Sequence, residues 1–271
     1  MSIDRLRAHY GFSRMPFGKE LAPAMLHGHR AHQEAVARIC WCVAERQIGV
    51  LTGECGSGKT VAARAAVATL DRSRHTLIYL GTPGVGLRGL YATIVAALGG
   101  SPRFYSSALI PQTQELLQLE QAERGKQVTL VVDEAHLLDG DYLEGLRCLQ
   151  NADMDERAPF SLLLLGQPTL RRRLRLGAFA ALDQRIGLRY TLAGLEPAET
   201  ASYIAHHLTL AGRSDALFSD DAVALIHQVS RGLPRLVNNL AVQALVACFA
   251  ERKALVDESA ARAAIAEVQA E

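Results

Sequence analysis

The residues with the clearest chemical implication form a glycine-rich loop. Its sequence, Gly53-Glu54-Cys55-Gly56-Ser57-Gly58-Lys59-Thr60, matches G-x-x-x-x-G-K-[ST] in full, and it follows an apolar run and opens a helical pattern. Backbone N–H groups in such a loop turn inward on phosphates, the helix N-terminus adds partial positive charge, and the lysine adds a mobile cation. The threonine hydroxyl is an oxygen ligand suited to Mg²⁺. The loop therefore predicts a site for ATP and Mg²⁺.

A pair of carboxylates ends a second apolar run, Val128–Val132. We expect Asp133 to hold Mg²⁺ through water and Glu134 to polarise the attacking water, because a carboxylate at that strand end lies opposite the γ-phosphate. The same letters, with Ala135 and His136, spell the DEAH box of helicases, but 271 residues leave no room for a second motor domain. For His136 both a relay and a packing role remain open.

Arginines cluster in the last part of the α/β pattern. Transfer of a phosphoryl group needs added positive charge as the γ-phosphate leaves. Between Gln167 and Tyr190 there is one acid, Asp183, and there are six arginines: Arg171, Arg172, Arg173, Arg175, Arg185 and Arg189. Arg235, just after Pro234 at a predicted helix start, is a further candidate. A solvated helix face is the alternative interpretation of the arginines at 171–175.

The elements that must position these residues alternate between strand and helix. Apolar β-rich runs are predicted as strands at 48–52, 76–80, 128–132, 161–165 and 188–192, with helical spacing at 32–45, 59–70, 89–98 and 113–124 between them. This order predicts an α/β fold with a five-stranded parallel sheet. After Gly194 the strand pattern stops, and four helices are expected. We predict a nucleotide-binding domain at 1–194, with an N-terminal segment at 1–31, and an all-helical domain at 195–271.

Composition narrows the classes of protein. Because 29 basic and 28 acidic residues give a net charge of +1, any affinity for nucleic acid must come from local patches. No apolar run approaches the roughly 18–20 residues of a membrane span, and the first residues lack a signal-peptide core. We therefore expect no membrane span and a cytoplasmic location. The five cysteines form neither a disulfide framework nor a C-x-x-C metal pair.

With these motifs in order, the chain resembles AAA+ ATPases of the ExeA (general secretion protein A) kind, which are related to the transposition ATPases TniB, TnsC and MuB. The likeness extends over nearly the whole chain. It is carried by Tyr10-Gly11-Phe12, Pro16-Phe17, GECGSGKT, LVVDEAHLL, LLLLGQP, DQRI and GLPRLVNNL. The resemblance implies the AAA+ form of the P-loop NTPase fold, with a C-terminal helical lid domain and hydrolysis of ATP.

The resemblance also implies roles for single residues. Gln167 matches the sensor-one position, which contacts the γ-phosphate or the water. Arg185 matches the arginine finger that reaches the ATP site of an adjacent subunit, with Arg189 the less favoured choice, and Arg235 matches the sensor-two arginine. A finger supplied in trans implies a homo-oligomer, either a ring or a helical filament.

The branches of this group differ in their partners. Secretion members continue into a membrane span and a peptidoglycan-binding region, whereas this sequence ends at Glu271, which favours the transposon-associated branch. We therefore expect an ATP-dependent regulator of transposition that binds double-stranded DNA and recruits a transposase. The alternatives are an assembly ATPase of secretion that acts on protein partners, and a nucleotide-gated switch with little turnover, against which Glu134 argues.

Overall fold

The chain forms two compact units. The computed structural model describes residues 2–18, 20–81, 83–151 and 158–270. The sheet unit comprises His32–Glu54 and Lys59–Leu192, and the helical unit comprises Met1–Ala31, Cys55–Gly58 and Ala193–Glu271. The sequence pattern predicted that residues 1–31 belong to the nucleotide-binding domain. In the structure, this segment groups with the helical unit.

Five parallel strands make up the sheet, as the alternating pattern predicts. They are β1 (Ile48–Thr52), β2 (His75–Leu80), β3 (Gln127–Val132), β4 (Phe160–Gly166) and β5 (Ile186–Thr191), in the order β2-β3-β4-β1-β5. Every residue of β1 and β4 is buried, which is typical of central parallel strands covered on both faces. At the edge, β2 alternates, with Tyr79 exposed and Leu80 buried.

The register of the strands brings the polar motifs to one edge of the sheet. Leu80 pairs with Val132, Val132 pairs with Leu164, and Thr52 pairs with Gly166. Because all the strands run the same way, the residues that follow them meet at the carboxyl edge. The phosphate loop, the acidic pair and Gln167 each follow directly after one of these strands.

Helices connect the strands and form the rest of the fold. In chain order they are α1 (Ile3–Tyr10), α2 (Arg30–Ala44), α3 (Lys59–Ala68), α4 (Gly86–Ala97), α5 (Ser106–Ala122), α6 (Gly140–Gln150), α7 (Pro168–Leu174), α8 (Ala180–Arg185), α9 (Pro197–Leu210), α10 (Asp220–Ser230), α11 (Pro234–Ala250) and α12 (Glu258–Ala270). Within the sheet unit, Leu143 and Leu146 of α6 join Leu130 and Leu162 of the sheet in one buried cluster.

The helical unit has its own core, built by α9–α12 and the N-terminal segment. Tyr10 is buried in it and donates a hydrogen bond from its hydroxyl to the Leu245 carbonyl at 2.9 Å. The Phe17 ring stacks on the buried His207, with 5.1 Å between ring centroids. Burial lowers the pKa of His207 to about 4, with a smaller contribution from the nearby charge of His206. The N-terminal segment therefore belongs to the core of this unit.

In the part of the chain that the structure describes, none of the helices is both long and apolar enough to cross a membrane.

Candidate nucleotide site

The phosphate loop is fixed at its start and depends on glycine for its turns. Gly53 donates its backbone N–H to the Gly166 carbonyl at 3.2 Å, which ties the loop to the end of β4. Gly56 and Gly58 have φ angles of 81° and 97°, in the left-handed region that side chains disfavour. The spacing of glycines in the motif therefore matches the backbone conformation of the loop.

Lys59 is the first residue of α3, and its cation is held inside the loop. The side chain is buried, and its Nζ donates to the carbonyls of Gly53 at 2.9 Å and Glu54 at 3.0 Å. A buried ammonium group needs such partners because removing it from water is costly. These contacts place a positive charge among the backbone groups of the loop, where a phosphate would be attracted.

The two predicted magnesium ligands are in direct contact. The Thr60 hydroxyl donates to Asp133 Oδ2 at 2.7 Å, and the backbone N–H of Glu134 donates to Asp133 Oδ1 at 2.9 Å. Asp133 is buried, and its own N–H donates to the Leu80 carbonyl at 2.9 Å, so the neighbouring strand β2 helps to fix its position. A carboxylate beside a hydroxyl is an oxygen donor set that suits Mg²⁺. The residues present therefore fit this metal.

A tyrosine that the sequence analysis did not identify belongs to this group. The Tyr79 hydroxyl donates to Asp133 Oδ2 at 3.0 Å, so this oxygen accepts two hydrogen bonds. Although the residue as a whole is exposed, partial desolvation of its hydroxyl, together with the charge of Asp133 and the hydrogen bond to it, raises the pKa of Tyr79 to about 12. The phenol therefore stays protonated at neutral pH and acts as a donor. The sequence signal that could have identified Tyr79 is its position one residue before the end of β2, the strand next to β3, which Asp133 directly follows.

The other acid of the pair sits on a constrained backbone. Glu134 has φ 51° and ψ 34°, a left-handed conformation uncommon for a residue with a long side chain. Its side chain is 48% exposed, so the carboxylate is accessible to water, and Oε2 lies 3.4 Å from His136 Nδ1. The turn thus directs Asp133 into the protein and leaves Glu134 at the surface.

His136 lies between two predicted site residues. The backbone N–H of Gln167, at the N-terminal cap of α7, donates to His136 Nδ1 at 3.5 Å, a long hydrogen bond. An imidazole nitrogen that carries a hydrogen donates, and one without a hydrogen accepts. His136 Nδ1 lies within contact distance of both Gln167 and Glu134.

The two candidate fingers differ in their contacts. Arg189 forms an ion pair with Asp183 at 3.0 Å and donates to the Ile186 carbonyl at 2.9 Å. Arg185, at the C-terminal end of α8, donates to the Asn151 side-chain oxygen at 3.2 Å. The carboxylate of Asp183 offsets part of the charge of Arg189.

Arg235 contacts the middle of the phosphate loop within the helical unit. Its guanidinium Nη1 lies 3.3 Å from Cys55 Sγ, and its backbone N–H donates to the Gly56 carbonyl at 3.3 Å. A Cβ added at Gly56 would stand 2.6 Å from the Arg235 Cβ, so only glycine fits there. Ser57, the remaining loop residue, is buried. Within this unit, Arg235 therefore contacts Cys55 and Gly56 of the predicted loop.

Comparisons with known proteins identify similar sequences and folds. Residues 43–174 match the family described as AAA domain. General secretion pathway protein A of Aeromonas hydrophila is 32% identical over 246 residues, which cover 89% of this chain and 44% of that protein. The chain therefore spans less than half the length of this relative.

Solved structures share the fold at lower identity. Cdc6p from Pyrobaculum aerophilum has a TM-score of 0.66 and 15% identity, covering 87% of this chain and 68% of that one. The Aeropyrum pernix ORC1 protein, solved in complex with DNA, has a TM-score of 0.65 and 15% identity, covering 90% and 67%. The motif order, the sheet and these matches agree: residues 43–174 match the AAA domain family, and the chain is similar over most of its length to general secretion pathway protein A.

Proposed function

We propose that the chain binds ATP together with Mg²⁺ through the loop Gly53–Thr60. Lys59 neutralises phosphate charge, Thr60 ligates the metal directly and Asp133 holds it through water. The 2.7 Å contact between the Thr60 hydroxyl and the Asp133 carboxylate carries this proposal, because it brings together oxygen donors from the two motifs. Magnesium, when bound, would supply positive charge that stabilises the phosphate oxygens.

For hydrolysis we propose Glu134 as the residue that orients the attacking water. Its exposed carboxylate and its position next to Asp133 support this role. Gln167 contacts the γ-phosphate or the water, and Arg235 acts as the sensor-two arginine. Arg185 is the finger that a neighbouring copy supplies, which makes the active form a homo-oligomer.

Nucleotide binding in the presence and absence of the metal tests this assignment. We expect a fluorescent ATP analogue to bind with Mg²⁺, and binding to weaken by about tenfold or more when Asp133→Asn removes the metal-holding charge. Asp141→Asn, at the exposed start of α6, is the matched control and should bind normally. Equal binding by both variants would show that Asp133 does not hold the metal.

As the partner we propose double-stranded DNA, with the chain acting as a cytoplasmic regulator of transposition that recruits a transposase. Two basic regions of the sequence support the proposal that the partner is DNA. Residues 72–114 contain no aspartate or glutamate but include Arg72, Arg74, Arg88 and Arg103, and six arginines lie between Gln167 and Tyr190. Placed positive charge is sufficient for contacts to the DNA backbone.

A gel-shift titration of duplex DNA with a non-hydrolysable ATP analogue tests the DNA role. We expect binding that requires the analogue and weakens steeply with salt, because phosphate contacts release counterions. Binding that is absent with and without nucleotide would exclude this partner.

The second candidate is an assembly ATPase that acts on protein partners in secretion. The identity to general secretion pathway protein A over 89% of this chain favours it. Adjacent genes discriminate between the two roles: a transposase gene supports the first and secretion components support the second.

A further inference from the structure

A second concentration of positive charge lies in a pocket of the sheet unit. The pocket has a volume of about 180 Å³ and opens beside β1, β5 and α7. Four arginines line it, Arg38, Arg171, Arg175 and Arg189, against one acid, Asp183. The lining therefore carries four positive charges and one negative charge, a net charge of +3.

The carboxylates near the pocket offset only two of these arginines. Asp183 pairs with Arg189 at 3.0 Å, and Glu34, which is not in the lining, pairs with Arg38 at 2.7 Å. In the described part of the chain no carboxylate lies within ion-pair distance of Arg171 or Arg175. Two positive charges thus remain without a counter-charge.

Hydroxyl groups give the pocket a polar side. Thr52 and Thr191, at the ends of β1 and β5, have their hydroxyl oxygens 3.1 Å apart, and the Arg171 guanidinium donates to Thr191 Oγ1 at 3.3 Å. Tyr190 also lines the pocket, and its ring lies 5.0 Å from the Arg38 guanidinium carbon. Guanidinium forks and hydroxyl donors are the groups that recognise phosphate oxygens.

We propose that this pocket binds a phosphate group, held by Arg171 and Arg175. Among the described residues, the two charges left without a counter-charge match a phosphate dianion, and the volume of about 180 Å³ suits a compact anion. The phosphate has two sources, a free phosphate anion or a phosphodiester of DNA. The first source is independent of the proposed ATPase role, and the second rests on the proposed DNA partner.

Equilibrium dialysis with radiolabelled inorganic phosphate tests the free anion. The experiment uses the full chain with Lys59→Ala, so that the phosphate loop contributes little, at constant ionic strength set with chloride. We expect one phosphate per chain, and a Kd raised about tenfold or more when Arg171→Ala and Arg175→Ala are added. Arg172→Ala is the matched control, because this arginine is exposed on the same helix but does not line the pocket.

A second arm uses duplex DNA without terminal phosphates. If the pocket takes a phosphodiester, the double variant weakens DNA binding by about tenfold while Arg172→Ala has a smaller effect, whether or not the chain hydrolyses ATP. Circular dichroism and the Tm of each variant confirm that it is folded. The proposal is wrong if the double variant and Arg172→Ala behave alike with both probes, or if neither probe binds to the parent protein.

Discussion

At the residue scale, one hydrogen bond joins the two nucleotide motifs. Thr60 lies in the first turn of α3 and Asp133 directly follows β3, and the 2.7 Å contact between them holds the start of α3 against the end of β3. Tyr79 approaches the same carboxylate oxygen from β2. The position of Asp133 is therefore set by groups from three segments before any metal is bound.

Separate variants should distinguish phosphate binding from hydrolysis. Glu134→Gln should retain ATP and trap the assembled state, because the amide keeps the shape of the side chain but cannot act as a base, and turnover should fall about 100-fold or more. Lys59→Ala should weaken binding itself because it removes the cation in the loop. Filter binding and phosphate release measure the two effects. Normal turnover by Glu134→Gln would show that another group orients the water.

Tyr79→Phe tests the hydrogen bond that the sequence analysis missed. Loss of one donor to Asp133 should raise the Mg²⁺ concentration for half-maximal ATP hydrolysis by about tenfold, as for other groups that orient a ligand. Tyr91→Phe is the control, because its hydroxyl contacts the Gly145 carbonyl at 3.4 Å and not Asp133. An unchanged Mg²⁺ requirement in Tyr79→Phe would mean that this contact does not tune the metal site.

At the element scale, the strands could be predicted because each is a short apolar run before a turn. The predicted strand 48–52 has the observed bounds, and 128–132 begins one residue late. Helices α6, α7 and α8 were not predicted, because they are short or directly follow motifs whose sequences are typical of loops. The helix predicted at 113–124 begins at Ser106, and Pro111 inside it, which lacks an N–H, interrupts the sequence pattern.

The packing of β1 gives a prediction about stability. A Cβ added at Gly49 would stand 2.8 Å from Cys42 Sγ and 3.0 Å from Leu163 Cδ2. Gly49→Ala should therefore lower the free energy of unfolding by about 1–3 kcal/mol, as overpacked cores do. Gly177→Ala, with no atom within 4 Å of the added Cβ, is the control in urea unfolding. Equal stability of the two variants would show that β1 adjusts to the extra carbon.

The buried histidine of α9 predicts a pH dependence. The pKa of His207 is about 4 in the folded state and near 6.5 when unfolded, so the unfolded chain binds the proton more tightly. The contribution of His207 to the free energy of unfolding is fully present above pH 6.5. This contribution falls as the pH drops toward 4, by at most about 3 kcal/mol. Urea unfolding between pH 5 and 7.5 should show a shallower slope for His207→Gln. His206→Gln leaves this group in place and should keep the slope.

At the scale of the whole molecule, the proposed finger in trans predicts complementation between two variants. Arg185→Ala alone should bind ATP but not hydrolyse it, because the arginine contributes about a thousandfold or more in rate. Mixed with Glu134→Gln, it should recover activity, since subunits with an intact Glu134 then receive Arg185 from a neighbour. Steady-state ATPase assays of the two proteins, separately and mixed, measure this. A mixture as inactive as its parts would exclude Arg185 as a finger in trans.

Local sequence patterns could not predict that the first 31 residues pack in the helical unit. The contact of Tyr10 with Leu245 joins positions 235 apart in the chain, and neither residue alone specifies the other. Phosphate-loop chemistry, by contrast, is encoded in eight consecutive residues. Local motifs were therefore easier to predict than the packing of distant segments.

The left-handed backbone of Glu134 lowers the stability of the protein, but the proposed activity requires the carboxylate at this position. A residue with a Cβ in this conformation is disfavoured by about 1–2 kcal/mol, and glycine is the residue that avoids most of this strain. A chain optimised only for durability would carry glycine at position 134 and would lose its carboxylate. Engineering for heat resistance should therefore keep Glu134, even though its left-handed backbone conformation indicates that glycine would raise the free energy of unfolding.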